Sequence, residues 1–580
     1  MELRKGIAAS PGYAIGEAFL YDVEEFRIPR KFIPPHEVES EVRRTREAFE
    51  NARRDYDEQI GALSKRLGTA VTQILQSHLS MLGDPVMQEE IYKLIRESRY
   101  SPEYSVSTVV RKKLKLIESW GEMAFGKRVE QDLIEVERTL LRSLLGQQRE
   151  GLKDLSHPVI LVANDLTPGQ TATLDKSKIL GIVTDKGGKT SHTSLIAASL
   201  GIPAVVGLRK ITKDLTGGDV VVVDGGAGTV LINPDPTTLQ RYQAKLNNVL
   251  KVDEQLALKY RDLPGRTRDG VSISILANID LPADLPLVLE YGADGIGLFR
   301  TEFLYLNHNF APTEKEQAAV YREAVRLLGT RPVTIRTLDL GADKMPVEGI
   351  PSQANPFLGV RAIRLCLERV DLLQTQLRAI LQASGEGRVS IMIPMISTRE
   401  EVIQVREILD EVIRQMREND EPVPDRVPLG IMVEVPSAAL SCELIAPHVD
   451  FFSIGTNDLV AYLMAVDRTN EKVAQLYQST HPAVLRVIKE VIDCGGRHGK
   501  PVSICGEMSG EPSSVPLLLG MGLRIYSVVP HVIPEVKRVL ESFSVAEAEE
   551  IWNKVKGMSD SREIESFLRD ELRRRVPELA

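Results

Sequence analysis

The segment Gly187–Gly207, GGKTSHTSLIAASLGIPAVVG, brings a glycine pair, one histidine and the hydroxyls of Thr190, Ser191, Thr193 and Ser194 close together. It follows an apolar run, ILGIVT, and ends in Gly201 with Pro203 beyond. A glycine turn after a strand, followed by helix-stop signals, predicts a helix that begins at Ser191 or His192. His192 then lies in the first helical turn. Free backbone N–H groups there favour a bound phosphate. The positive end of the helix dipole also disfavours imidazole protonation, by ~0.3–1 kcal/mol in exposed cases. The chemistry this permits is that of a neutral, nucleophilic histidine beside a phosphate site. Taken alone, a Thr-Ser-His string is more simply a polar cap on a loop-to-helix turn.

A second group of residues follows a series of apolar runs further along. Arg300 stands in FRTE, Arg336 and Asp339 in RTLD, Glu434 in MVEVP, and Asn457 and Asp458 in SIGTNDL. Arg468 comes later, Cys505 and Glu507 stand in CGE, and Arg361 and Arg364 in NPFLGVRAIR. Guanidinium groups grip phosphate or carboxylate with paired hydrogen bonds. Glu434 and Asp458 offer hard oxygen donors of the kind that hold Mg²⁺ together with substrate oxygens. A phosphorylated carboxylate with Mg²⁺ fits the set. Each residue also has a plainer reading: an arginine as a surface ion pair, a cysteine as a buried inert thiol, Glu434 as a cap. Their recurrence after successive runs favours a single site.

The elements that must position these groups are eight strand candidates: SISILAN at 272, DGIGLF at 294, PVTIRTLDL at 332, SIMIPM at 390, LGIMVEV at 429, DFFSIG at 450, PVSICGE at 501 and LRIYSVV at 523. Most are separated by amphipathic helical stretches. Eight strand–helix units over residues 263–580 predict a (β/α)8 TIM barrel, whose active site lies at the C-terminal ends of its strands. Continuous apolar runs suit parallel strands buried on both faces. Upstream, residues 150–232 alternate short β-type runs with glycines and a helix, which makes an α/β unit. Residues 1–20 share its character, are read as a short strand and turn, and are expected to pack with it. Residues 21–149 are then an inserted helical block, with Val42, Phe49, Tyr56 and Leu63 on one face and breaks at Asp84-Pro85 and Ser101-Pro102. Residues 233–262, opening Asn233-Pro234-Asp235-Pro236, read as a linker helix.

The chain has 580 residues, too many for one core. Its 43% hydrophobic and 26% charged residues are an ordinary globular balance. A net charge of −9 with no basic stripe argues against nucleic acid as a partner. No apolar run approaches membrane-spanning length, and the N-terminus lacks a signal-peptide core. None of the four cysteines, Cys366, Cys442, Cys494 and Cys505, lies in a CxxC pair. The expectation is a cytoplasmic protein with reduced thiols and no membrane insertion.

Ordered strings over nearly the whole chain resemble Enzyme I of the bacterial phosphoenolpyruvate-dependent sugar phosphotransferase system. They are KGIAASPGYAIG at the start, DLTPGQTA at 165, GGKTSHTS at 187, GLFRTEFL at 297, RTLDLGADK at 336, NPFLGVRAIR at 355, GIMVEVP at 430, DFFSIGTNDL at 450, AVDR at 465 and CGEMSG at 505. The resemblance implies that His192 is phosphorylated and that Thr171 supports it. It implies that Arg300, Arg336, Arg468, Arg361, Asn457, Asp458 and Lys344 bind phosphoenolpyruvate, that Glu434 and Asp458 hold Mg²⁺, and that Cys505 protonates the enolate as pyruvate forms. It further implies a swivelling phosphohistidine domain with an inserted helical carrier-binding domain, an HPr-like phosphocarrier as acceptor, and a homodimer through the C-terminal barrel. The chain departs from the family at Val460-Ala461-Tyr462, at Ser527-Val528-Val529 and in RVEQDLIEV, residues 128–136. Three competing functions are weaker fits. Pyruvate phosphate dikinases share the two chemical domains but need an ATP-binding domain, and residues 21–149 carry no phosphate-cradling glycine loop. A regulator that only senses phosphoenolpyruvate would have no use for both His192 and Cys505. A nitrogen-regulatory paralogue usually carries an extra N-terminal sensor domain.

Overall fold

The computed structural model describes residues 2–21, 30–64, 78–118, 124–145, 155, 157–166, 178–188, 193–194, 197, 200–215, 217–306, 311–341, 355–424, 426–467 and 473–579. The N-terminal region is built on one eight-stranded sheet, and the C-terminal region on a closed eight-stranded barrel.

The sheet draws three strands from the start of the chain, β1 (Glu2–Lys5), β2 (Ile7–Ser10) and β3 (Tyr13–Tyr21). The single strand and turn expected there is therefore three strands. The rest are β4 (Val159–Ala163), β5 (Ile179–Thr184), β6 (Ala204–Val206), β7 (Val220–Asp224) and β8 (Thr229–Ile232). Their spatial order is β1-β8-β7-β3-β4-β5-β6-β2. β3 lies parallel to β4, with Ala18 opposite Ile160, and antiparallel to β7. Along β4, Ile160 and Val162 enter one apolar cluster while Val159, Leu161 and Ala163 enter another. Both faces are covered, which is why the run is apolar without alternation.

Between β3 and β4 the described residues form four helices of more than ten residues, Val38–Ser64, Pro85–Ser98, Pro102–Glu118 and Ala124–Leu145. Two of them start at the predicted breaks, because proline fits the first helical turn, where its missing N–H costs nothing. Asp84 caps the second helix by accepting from Val86 N. Val42, Phe49 and Tyr56 pack with Ile91, Val106 and Val136 in a shared core. Each such burial is worth roughly 1.5–3 kcal/mol relative to exposure.

After β8, a helix runs from Pro236 to Tyr260, capped by Asp235. Near its start Tyr242 meets Tyr13 of β3 edge-on, ring centroids 6.0 Å apart. At its end the buried Lys537 ammonium donates to the carbonyls of Tyr260 and Gly292 at 3.0 and 2.7 Å. The helix is thus fastened to the sheet at one end and to the barrel at the other.

The barrel strands are β9 (Ser274–Ile279), β10 (Ile296–Phe299), β11 (Val333–Arg336), β12 (Val389–Ile393), β13 (Leu429–Val433), β14 (Phe452–Ile454), β15 (Val502–Ile504) and β16 (Ile525–Val528). All eight predicted runs are strands. They pair in parallel in chain order, and β16 closes on β9. Among the described residues, no helix is long and apolar enough to cross a membrane.

Candidate active site

Successive strands of the barrel deliver their charged residues to its C-terminal end. Arg336 is the last residue of β11, Arg300 directly follows β10, Glu434 follows β13 and Cys505 follows β15. Asp458 sits in the first turn of the helix Thr456–Met464 that leaves β14. These side chains form a connected ionic network. Arg336 Nη2 donates to Glu302 Oε1 at 2.9 Å, and its Nη1 lies 2.9 Å from Asp339 Oδ2. Arg361 Nη2 donates to Asp339 Oδ1 at 2.7 Å and to Asp458 Oδ2 at 3.3 Å. Beside them Arg300 Nη1 donates to Asp280 Oδ1 at 2.6 Å. Burial works against the charge of Arg336, but Glu302, Asp339 and Glu434 outweigh it and hold the group above its usual range.

Three carboxylates converge inside this network. One oxygen from each of Asp339, Glu434 and Asp458 lies within 4.8 Å of the others, and all three residues are buried. Burial pushes the Glu434 carboxyl up to about 8, and Asp339 and Asp458 push in the same direction. Burial pushes Asp339 up too, but Arg336 and Arg361 overrule it and hold that carboxyl below its usual range. The cluster therefore keeps its proton on Glu434, as expected for like charges crowded in a dry site. One Glu434 oxygen is already fixed, since Oε1 accepts from Met395 N at 2.7 Å. Met395 adopts φ +61° to present that N–H, an uncommon conformation for a non-glycine residue. Three hard oxygen donors that repel one another suit a small divalent cation such as Mg²⁺. The sequence assigned Glu434 and Asp458 to that role. Asp339 joins them, and its position three residues after Arg336 in RTLD was the available signal.

Cys505 is 3% exposed and packs with Leu298, Met392 and Met432 at the mouth of the barrel interior. Burial pushes its thiol up, so it stays protonated at neutral pH, with Glu434 adding to the effect and Arg336 and Arg300 opposing it. Its carbonyl accepts from Asn278 Nδ2 at 3.0 Å, and Ser527 Oγ donates to Asn278 Oδ1 at 2.6 Å. Asn278, Asp280 and Glu302 were not singled out by sequence. The first two flank the end of β9, so strand-end position was their only signal.

Asn457 is tied to Glu507: its Oδ1 accepts from Glu507 N at 3.0 Å and its Nδ2 donates to Glu507 Oε1 at 3.3 Å. Arg364 stands apart from the network. It donates to the carbonyls of Leu358 and Gly359 and to Ser397 Oγ, bracing the loop instead.

His192, Thr171, Arg468 and Lys344 lie outside the described residues. Around His192, Gly187 has φ +107°, as a turn there requires of glycine. Thr193, Ser194, Ala197 and Leu200 are helical, and Gly201 ends that stretch at φ +62°. Ser194 Oγ donates back to Gly188 O at 2.7 Å.

Three family models match in order along the chain. They are the PEP-utilising enzyme N-terminal region over residues 5–128, the PEP-utilising enzyme mobile domain over 155–228, and the PEP-utilising enzyme PEP-binding domain over 254–545. A phosphoenolpyruvate-protein phosphotransferase of Staphylococcus carnosus (strain TM300) is 38% identical over 561 residues, covering 97% of each chain. One of Geobacillus stearothermophilus is 39% identical over 565 residues, again covering 97% of each.

Proposed function

The chain belongs to the family of phosphoenolpyruvate-protein phosphotransferases, and on that footing we propose that it moves the phosphoryl group of phosphoenolpyruvate to His192 and then to a histidine of an HPr-like carrier protein. The observation that carries this reading is the meeting of Asp339, Glu434 and Asp458 with Arg336 and Arg361 at the barrel's C-terminal end. Arg300 and Arg336, with Arg468, Arg361, Asn457 and Lys344, take the substrate's carboxylate and phosphate, and Asp458, itself an anion, belongs to the substrate site through the cation it would help to hold. Glu434 and Asp458, with Asp339 beside them, hold Mg²⁺, which when bound supplies positive charge to the substrate's oxygens. An imidazole nitrogen of His192 forms a bond to phosphorus as the phosphorus–oxygen bond to the enol breaks. The enolate left behind needs a proton at carbon, and the buried, protonated thiol of Cys505 delivers it, giving pyruvate. The nitrogen–phosphorus bond breaks later, when the carrier's histidine takes the group.

The domain division follows the same scheme. Residues 1–20 and 150–232 form the phosphohistidine domain, in which Thr171 supports His192. Residues 21–149 form the carrier-binding insert, 233–262 the linker and 263–580 the substrate barrel, which pairs with a second copy in a cytoplasmic homodimer. The test is incubation with Mg²⁺ and phosphoenolpyruvate labelled at phosphorus. The protein is expected to take up an acid-labile, base-stable label, and His192→Ala to take up none while keeping the native circular dichroism spectrum. Stoichiometric labelling of His192→Ala would remove that histidine from the reaction.

A further inference from the structure

A second constellation of metal-binding groups lies at the opposite end of the barrel. The helix Pro482–His498 runs back from the active-site end and carries Cys494 and His498 in its last turns, just before β15 begins. Four residues apart, they share one face of that helix. Glu443, in the short helix Cys442–Ile445 ahead of β14, reaches the same point. One donor atom from each of Glu443, Cys494 and His498 lies within 4.8 Å of the other two.

We propose that Glu443, Cys494 and His498 form a binding site for a borderline transition-metal dication of the Zn²⁺ class, three protein donors leaving one position of a tetrahedral ion to water. The donor chemistry separates it from the strand-end site. Three carboxylates select a hard ion, whereas thiolate, imidazole and one carboxylate form a mixed set that prefers Zn²⁺ or Co²⁺ to Mg²⁺. The two oxygens of Glu443 are already divided between two tasks. Oε1 is held by Arg497, at 2.6 Å from Nε, while Oε2 faces His498 Nε2 at 2.5 Å. Arg497 is itself anchored on Glu490 at 2.7 Å. That is the arrangement in which an outer partner orients a ligating carboxylate. An incoming dication displaces the hydrogen between Glu443 Oε2 and His498 Nε2, which moves to His498 Nδ1 or to solvent, and the Cys494 thiol gives up its proton to solvent. Once occupied, the site clamps the helix preceding β14 to the helix preceding β15.

The full-length protein, stripped with chelator and kept reduced, is titrated with Co²⁺ in place of Zn²⁺. The titration uses a Cys505→Ser background so that the strand-end thiol cannot contribute. A thiolate-to-cobalt absorption band saturating near about one equivalent is expected, and it should persist in excess Mg²⁺. Adding Cys494→Ser should abolish it. Glu443→Gln and His498→Ala alter exposed or half-exposed side chains, and each should keep the native circular dichroism spectrum while weakening Zn²⁺ binding by about tenfold or more. Absence of the band, its survival in Cys494→Ser, or unchanged Zn²⁺ affinity in both Glu443→Gln and His498→Ala overturns the site.

Discussion

The proton held by Glu434 links the metal to pH. A free glutamate loses its proton near 4.5, but this one keeps it to about 8. Because the folded form holds the proton more tightly, the group's contribution to stability is full below 4.5 and is lost as pH rises through about 8. Metal-free protein should therefore lose more melting temperature between pH 5 and pH 9 than Glu434→Gln does; equal losses would place the proton elsewhere. Mg²⁺ must displace the same proton, so its affinity should climb with pH and level off above about 8, with calorimetry in buffers of different ionisation enthalpy reporting close to one proton released near neutrality. Cys505 gives a second prediction at this scale. Cys505→Ala should abolish phosphoenolpyruvate turnover yet still exchange phosphate between His192 and the carrier, a half-reaction with no carbon to protonate. Loss of both would mark a structural role, and loss of neither would leave protonation to another group. Sequence alone could select Arg336, Glu434 and Cys505 because each ends an apolar run. It could not select Glu302 as the partner of Arg336, since Glu302 opens the short helix Glu302–Leu306 after β10 and meets Arg336 only because β10 and β11 lie side by side in the barrel.

Individual elements were legible to the degree that they are buried. The barrel strands are covered on both faces, so each reads as an apolar run whatever its neighbours. β1 is an edge strand of Glu2, Leu3, Arg4 and Lys5, and only its pairing with β8, Glu2 opposite Ile232, makes it a strand. No local pattern records a partner so far away. The helix Thr456–Met464 shows what an element owes to a neighbour's backbone. A Cβ on Gly506 would lie 1.7 Å from Thr456 Oγ1 and 2.9 Å from Thr456 N, so the CGE turn can touch that helix only through glycine. Gly506→Ala should push the first turn aside and carry Asn457 and Asp458 with it. The expected results are a stability loss of ~1–3 kcal/mol in urea denaturation and a fall in Mg²⁺ affinity of roughly tenfold. Native Mg²⁺ affinity in Gly506→Ala would mean the contact is not what positions Asp458.

On the proposed function, the whole molecule has to bring one histidine to two partners, the barrel and the carrier. The helix Pro236–Tyr260 spans ~37 Å at 1.5 Å per residue and is held at both ends, by Tyr13 against Tyr242 and by Lys537 against Tyr260. A swing must release one of these ends, and the residues before Pro236, with Asn233 at φ +47°, are where the backbone can turn. Joining Tyr13→Cys to Tyr242→Cys with a flexible bismaleimide should fix one arrangement and so abolish at least one of two half-reactions: labelling from phosphoenolpyruvate or exchange with the phosphorylated carrier. Survival of both would move the hinge away from this end. The barrel's eightfold alternation could be read from the chain, whereas this fastening, made by single residues distant in sequence, could not. The central place of β3, between β7 and β4, has a consequence at the ribosome. β3 is among the first segments synthesised, yet the neighbour on one side follows the entire helical insert and the neighbour on the other comes later still. The insert, whose contacts are nearer in sequence, can fold while β3 waits. A newborn chain therefore trails an apolar, unpaired AIGEAFLY strand behind an already folded bundle, and its safety from aggregation rests on how fast β4 and then β7 arrive or on what shelters it meanwhile.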